Sequence, residues 1–141
     1  MRYSLPLVTA VLLAGCGGAM TTTLTGTSPV PTPDAFACVR GQLKALDFRQ
    51  SSLDNDENRV TARQYDETVR RPDVSFRRLV DRLEIEVAPG ADGAVTTLTV
   101  KASTFAELTT QRGPTEVQER TSERARTAAE AIVKKCSGGG Q

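Results

Sequence analysis

The chain has 141 residues, a length that suits one domain of ordinary size, or less once a targeting segment is removed. Its 18 Lys+Arg stand against 17 Asp+Glu, and its aromatic content is 4%, which argues against nucleic acid as a partner because both a basic field and stacking rings are lacking. It contains no His, which excludes Ser-His-Asp and Cys-His triads, His-containing zinc sites and haem with a His ligand.

In chain order, Arg2 supplies a short positive n-region, and Leu5 to Ala14 is almost wholly apolar, interrupted only by Pro6 and Thr9. This run of about ten residues lies within the range of a signal peptide and falls short of the ~20 needed to span a bilayer. It ends in Leu13-Ala14-Gly15-Cys16, and here the chain resembles bacterial lipoprotein precursors. In that family the box directs thioether attachment of a diacylglyceryl group to the cysteine, and cleavage falls just before it. The resemblance implies that residues 1–15 are a signal peptide, that Gly15 is the last residue removed, and that Cys16 is the lipidated mature N-terminus. Gly17, not Asp, follows Cys16. In Gram-negative lipoproteins that implies transport to the outer membrane, here with the domain on its periplasmic face.

Two other readings remain open at this point. Gly17-Gly18-Ala19 also reads as the small-residue cleavage site of an ordinary secretory signal, which would discard Cys16 and release a soluble protein. An apolar helix opening the fold is the third. On the lipoprotein reading the membrane is a partner through the lipid. One acyl chain binds only marginally at ~0.8 kcal/mol per buried CH₂, whereas two or three anchor stably.

Met20 to Pro33 is Thr-rich, with Pro29, Pro31 and Pro33 at every second position. Its lack of periodicity predicts that 16–34 is a lipidated N-terminus and tether, holding the domain roughly 20–50 Å off the bilayer; a folded Thr-rich strand is the alternative. A folded domain is expected over 35–136, followed by a Gly-rich tail at 137–141. Asp34 is a plausible N-cap, and Phe36, Val39, Leu43 and Leu46 recur at helical spacing, predicting a helix over 35–46. Phe48 to Ser52 is a strand candidate, and Asp54-Asn55-Asp56-Glu57-Asn58 reads as a turn before a strand over Arg59–Gln64. Leu79, Leu83, Ile85 and Val87 share one face of a strand whose other face carries Arg82, Glu84 and Glu86, the pattern of a sheet wet on one side. After the Pro89–Gly93 turn a strand returns over Val95–Phe105, with Leu98, Val100 and Ala102 inward. Val117, Thr121, Ala125, Ala128 and Ile132 predict a final helix from about Thr115 to Lys135. The fold class expected is α+β: helix, antiparallel four-stranded meander, helix, with both helices on one face of the sheet.

Cys38 lies on the apolar face of the first predicted helix, and Cys136 follows Ile132 by one i+4 step at the end of the last. In an oxidising compartment, and with Cys16 taken by lipid, only one pairing is left, Cys38–Cys136. Two buried free thiols are the alternative. There is no Cys-x-x-Cys redox motif.

Asp54-x-Asp56-x-Asn58 looks like the start of a calcium loop. However, the sixth and twelfth positions hold Arg59 and Tyr65, not the Gly and Glu that such a loop needs, so a polar hairpin turn is the better reading. Arg70, Arg71, Arg77 and Arg78 cluster around Pro72, with Arg59, Arg63 and Arg82 nearby in sequence, and form a candidate anion site, since the guanidinium fork suits carboxylate and phosphate. Asp66, Glu67, Asp73 and Asp81 are interspersed and favour a self-paired surface. Glu84 and Glu86 sit at i and i+2 on an outward strand face, not in the cleft that glycosidase carboxylates require. No catalytic residue, metal or cofactor is expected. The function expected is that of a membrane-anchored, exported binding or envelope-assembly domain whose partner is an envelope protein or an anionic ligand. The alternatives are an Asp/Glu-dependent envelope hydrolase and a sensor or carrier using the Arg cluster.

Overall fold

A computed structural model of the protein describes residues 20–91 and 93–138. The signal segment 1–15, Cys16 and the last three residues of the Gly-rich tail lie outside the described residues. Among the described residues one antiparallel sheet of six strands is packed with two helices, in the order β1 (Thr21–Ser28), α1 (Thr32–Ala45), β2 (Arg49–Asp54), β3 (Arg59–Asp66), β4 (Phe76–Pro89), β5 (Thr96–Thr110), β6 (Gly113–Glu119) and α2 (Glu123–Cys136). The class is α+β.

The sheet order is β1-β5-β4-β3-β2, with β6 also paired to β5. β5 is long enough to carry two partners end to end on one side. Residues 96–103 pair with β1 and 104–110 with β6. The register places Val60, Ala62, Leu83, Ile85, Val87, Leu98, Val100 and Ala102 on one face, and these form a single core with Phe36, Val39 and Leu43 of α1 and Ala125, Ala129 and Ile132 of α2. The alternation of β4 and β5 produces this face directly, because successive side chains of a strand point to opposite sides.

Two segments differ from the sequence expectation. Residues 21–28 belong to the domain as β1 and are not part of a tether. Leu24 packs against the core, while Thr23, Thr25 and Thr27 face outward and exposed, so the Thr-rich run is a β-branched edge strand with one half-buried face. Gly26 allows α2 to approach this strand. A Cβ there would lie 3.0 Å from Val133 Cγ1 and 3.1 Å from Ser137 Cβ. The prolines that suggest an extended spacer instead open α1. Pro31 occupies its N-cap and Pro33 its first turn, where a missing N–H costs nothing.

Residues 115–119 are likewise strand and not the start of the last helix. Gly113, at φ 107°, closes a tight turn from β5. Glu116 and Gln118 then alternate with Thr115, Val117 and Glu119 along the ladder. The α2 N-cap is Ser122, whose Oγ accepts from Ala125 N at 3.0 Å. Cys38 on α1 and Cys136 on α2 lie at disulfide distance, with Sγ atoms 2.18 Å apart and a Cα–Cα distance of 5.7 Å. They join elements 98 residues apart in sequence. The Asp54–Asn58 segment is the β2–β3 turn, and Asp54 Oδ1 accepts from the N–H groups of Asp56 and Glu57, both at 3.0 Å.

Candidate functional site

The sheet face away from the helices carries the chemistry. Because β3 and β4 alternate and pair in register, Arg63 lies opposite Arg82, and Arg49 on β2 lies opposite Arg63. Like charges placed this way repel, so counter-charges must come from elsewhere. They come from β5 and β6. Glu116 Oε2 accepts from Arg82 Nη2 at 2.7 Å, and its Oε1 lies 3.4 Å from Arg63 Nη1. Glu107, directly opposite Glu116 in the ladder and 7% exposed, receives Arg78 at 3.3 Å and Arg77 at 3.4 Å. Two carboxylates thus hold four guanidiniums.

Aromatic rings complete the arrangement. Arg78 stacks over Tyr65 at 3.7 Å and Arg82 over Phe105 at 4.3 Å, a geometry in which the ring face attracts the cation. Burial disfavours the charge on Arg78, but its hydrogen bonds to Glu107 and Glu67 outweigh this and raise its pKa. Beside this cluster is a polar depression of about 630 Å³ lined by Asp47, Arg49, Arg63, Gln64, Tyr65, Glu67 and Arg78.

The four arginines marked by the sequence do not converge. Arg70 donates to the carbonyl oxygens of Glu67 and Val69 and so belongs to its own loop. Arg71 makes a two-pronged contact with Glu119, Nη2 to Oε2 at 2.7 Å, and lies over Phe76 at 4.6 Å. This pairing raises the Arg71 pKa and lowers that of Glu119. Only Arg77 and Arg78 share a partner, Glu107. Sequence reasoning missed Arg49, and it placed Arg63 and Arg82 only as neighbours of the cluster in sequence. For Arg63 and Arg82 the outward alternation of β3 and β4 was a usable signal, but the cross-strand register that brings them together was not. Glu84 and Glu86 are exposed and lie near Lys101 (3.9 Å) and Arg59 (3.2 Å).

A second polar group lies on the helix side. Asp81, 1% exposed, accepts from Thr104 Oγ1 (2.7 Å), Ser122 Oγ (2.8 Å) and Arg124 Nε (2.8 Å). Thr104 Oγ1 in turn accepts from Ser122 N at 2.8 Å. This network ties the start of α2 to β4 and β5. Its two hydroxyls and both Asp81 oxygens have internal hydrogen-bond partners, and Arg124 Nη2 meets Asp81 Oδ2 at 2.8 Å as an ion pair without a hydrogen bond, an arrangement that is structural.

No protein-family model matches the chain, and no curated protein matches it in sequence. Among solved structures it is similar to a protein of Nitrosospira multiformis, at 8% identity over 84% of this chain and 97% of that one, with a TM-score of 0.44. A likeness that loose carries no argument about function.

Proposed function

We propose that the protein is an exported lipoprotein, held at a bacterial membrane by lipid on Cys16, whose domain acts by binding or envelope assembly and not by catalysis. The observation that carries the reading is Leu13-Ala14-Gly15-Cys16 at the end of a short apolar run. The proximity of Cys38 and Cys136 fits the oxidising compartment to which such a signal leads. Binding is favoured over Asp/Glu chemistry because Glu84, Glu86, Glu107 and Glu116 are each engaged by a cation. In a Gram-negative cell, Gly17 after the lipidated cysteine directs the protein to the outer membrane. Intact-mass measurement of the mature protein tests the anchor. A diacylglyceryl-modified chain beginning at Cys16 is expected, and an unmodified chain beginning at Met20 would overturn the proposal.

The polar depression supports a second reading, recognition of an anionic ligand, carried by Arg49, Arg63 and Arg78, of which only Arg78 belongs to the sequence-derived cluster. Calorimetric titration with pyrophosphate tests it. Saturable heat that Arg49→Ala abolishes is expected, and no heat would sink this reading.

A further inference from the structure

The start of β1 has a consequence for how the domain sits on the membrane. Met20 is held in place by Gln118 Nε2 donating to its carbonyl oxygen at 3.0 Å and by Thr121 Oγ1 at 3.4 Å. Gln118 Nε2 also reaches Thr21 Oγ1 at 3.1 Å. These contacts lie at a seam where β6 ends and β1 begins on the same side of β5, Glu119 pairing with Thr104 and Thr21 with Ser103. Only Gly17, Gly18 and Ala19 separate Met20 from Cys16. Four residue steps span at most about 14 Å fully extended, less than the roughly 20–50 Å expected of a tether running to residue 34.

We infer that the β6–β1 seam is a membrane-apposed surface whose partner is the lipid headgroup layer. This rests on the Cys16 anchor proposed above. Three features at the seam suit it to that layer. Met20 and Val117 flank it as large apolar side chains 49% and 50% exposed, and exposed Arg120 directly follows the end of β6. Apolar groups next to hydrogen-bonding and cationic ones match an interface that is part hydrocarbon and part phosphate. Among the described residues no strand pairs on the outer side of β6 or β1, and such an edge recruits other strands unless something covers it. A bilayer surface alongside would shield it. The opposite edge, β2, lies four strand spacings from β1, about 19 Å, and so points away from the lipid with the arginine-lined depression near it.

The chain has no Trp, so a single introduced Trp reports alone. The full chain, purified from membranes with its lipidation verified by intact mass, is reconstituted into phosphatidylethanolamine–phosphatidylglycerol vesicles whose acyl chains carry bromine near the headgroup. Val117→Trp is expected to lose fluorescence on reconstitution, whereas Ser52→Trp on β2 is expected to keep it. Arg120→Trp serves as a second seam reporter if Val117→Trp fails to fold. Equal quenching at both sites, or quenching at Ser52→Trp alone, in a verified lipidated chain would overturn the seam assignment while leaving the anchor intact. An unlipidated chain would overturn both.

Discussion

Glu107 and Glu116 face each other across the β5–β6 ladder, and each carries two arginines. Two carboxylates side by side would repel, but the four guanidiniums reverse the sign of the local field. The two acids differ in burial, with side-chain exposures of 9% and 27%. Glu107→Ala leaves Arg78, 18% exposed, without its buried counter-charge, Arg77 being 56% exposed, and is expected to cost about 3 kcal/mol. Glu116→Ala, in a wetter position, is expected to cost about 1 kcal/mol. Urea unfolding followed by circular dichroism should separate the two; the reverse order would show that burial does not set the strength of these pairs.

Asp81 is the other buried carboxylate with a defined task. Removing it in Asp81→Ala leaves the hydroxyl protons of Thr104 and Ser122 and Nε of Arg124 without their acceptor and is expected to cost about 3 kcal/mol. Loss of the helix cap in Ser122→Ala is expected to cost about 1 kcal/mol. Because the two residues share hydrogen bonds, the double variant should lose less than the sum of the single ones. Strict additivity in unfolding measurements would argue that the network does not act as a unit.

The Cys38–Cys136 link closes a loop of 98 residues. Replacing both cysteines by Ser is expected to lower stability by about 2–5 kcal/mol. Thiol titration of exported protein under denaturing conditions should find neither Cys38 nor Cys136 free, and two titratable thiols would count against the bridge.

Gly26 tests whether the Thr-rich segment is structural. Gly26→Val places methyl groups where Val133 and Ser137 already sit, and overpacking of this kind is expected to cost about 1–3 kcal/mol. A tether residue would tolerate the change, so an unaltered melting temperature would contradict the role of β1.

Acid should weaken the hold of the 67–75 loop on β6. Arg71 holds the Glu119 carboxyl below its ordinary value of 4.5. A depressed folded pKa contributes stability that is present above the unfolded value and is lost as pH falls through the folded one. Stability is therefore expected to decline as pH drops below 4.5. Arg71→Gln should remove the part of that decline owed to Glu119. An identical stability–pH curve for the variant and the parent would refute this coupling.

Much of the fold was legible in the residues. The inward set Leu83, Ile85, Val87, Leu98, Val100 and Ala102 follows from alternation within β4 and β5, and the two-helix, antiparallel plan follows from the order of patterns. β1 is legible only as the alternative to a tether, because Thr-x-Thr with a single Leu looks the same locally whether or not a neighbour pairs with it. Residues 115–119 were absorbed into the last helix because Val117 and Thr121 happen to fit a spacing of four. Ser122, the true cap, is recognisable only once Thr104 and Asp81 are beside it.

The candidate site divides in the same way. Local sequence was enough to show an Arg-rich, acid-matched surface and to pair Cys38 with Cys136 as a candidate bridge, and the proposal of a lipid anchor rests on Leu13-Ala14-Gly15-Cys16 alone. Tertiary structure decided which arginine meets which acid. Arg70 and Arg71 are adjacent in the chain and serve different partners, whereas Arg63, Arg82 and Glu116 are far apart in sequence and meet through the register of three strand pairs. Hydrophobic alternation is written into each strand because it acts between neighbours along the chain. Ion pairing across a sheet depends on which strands lie side by side, and only the packed sheet supplies that.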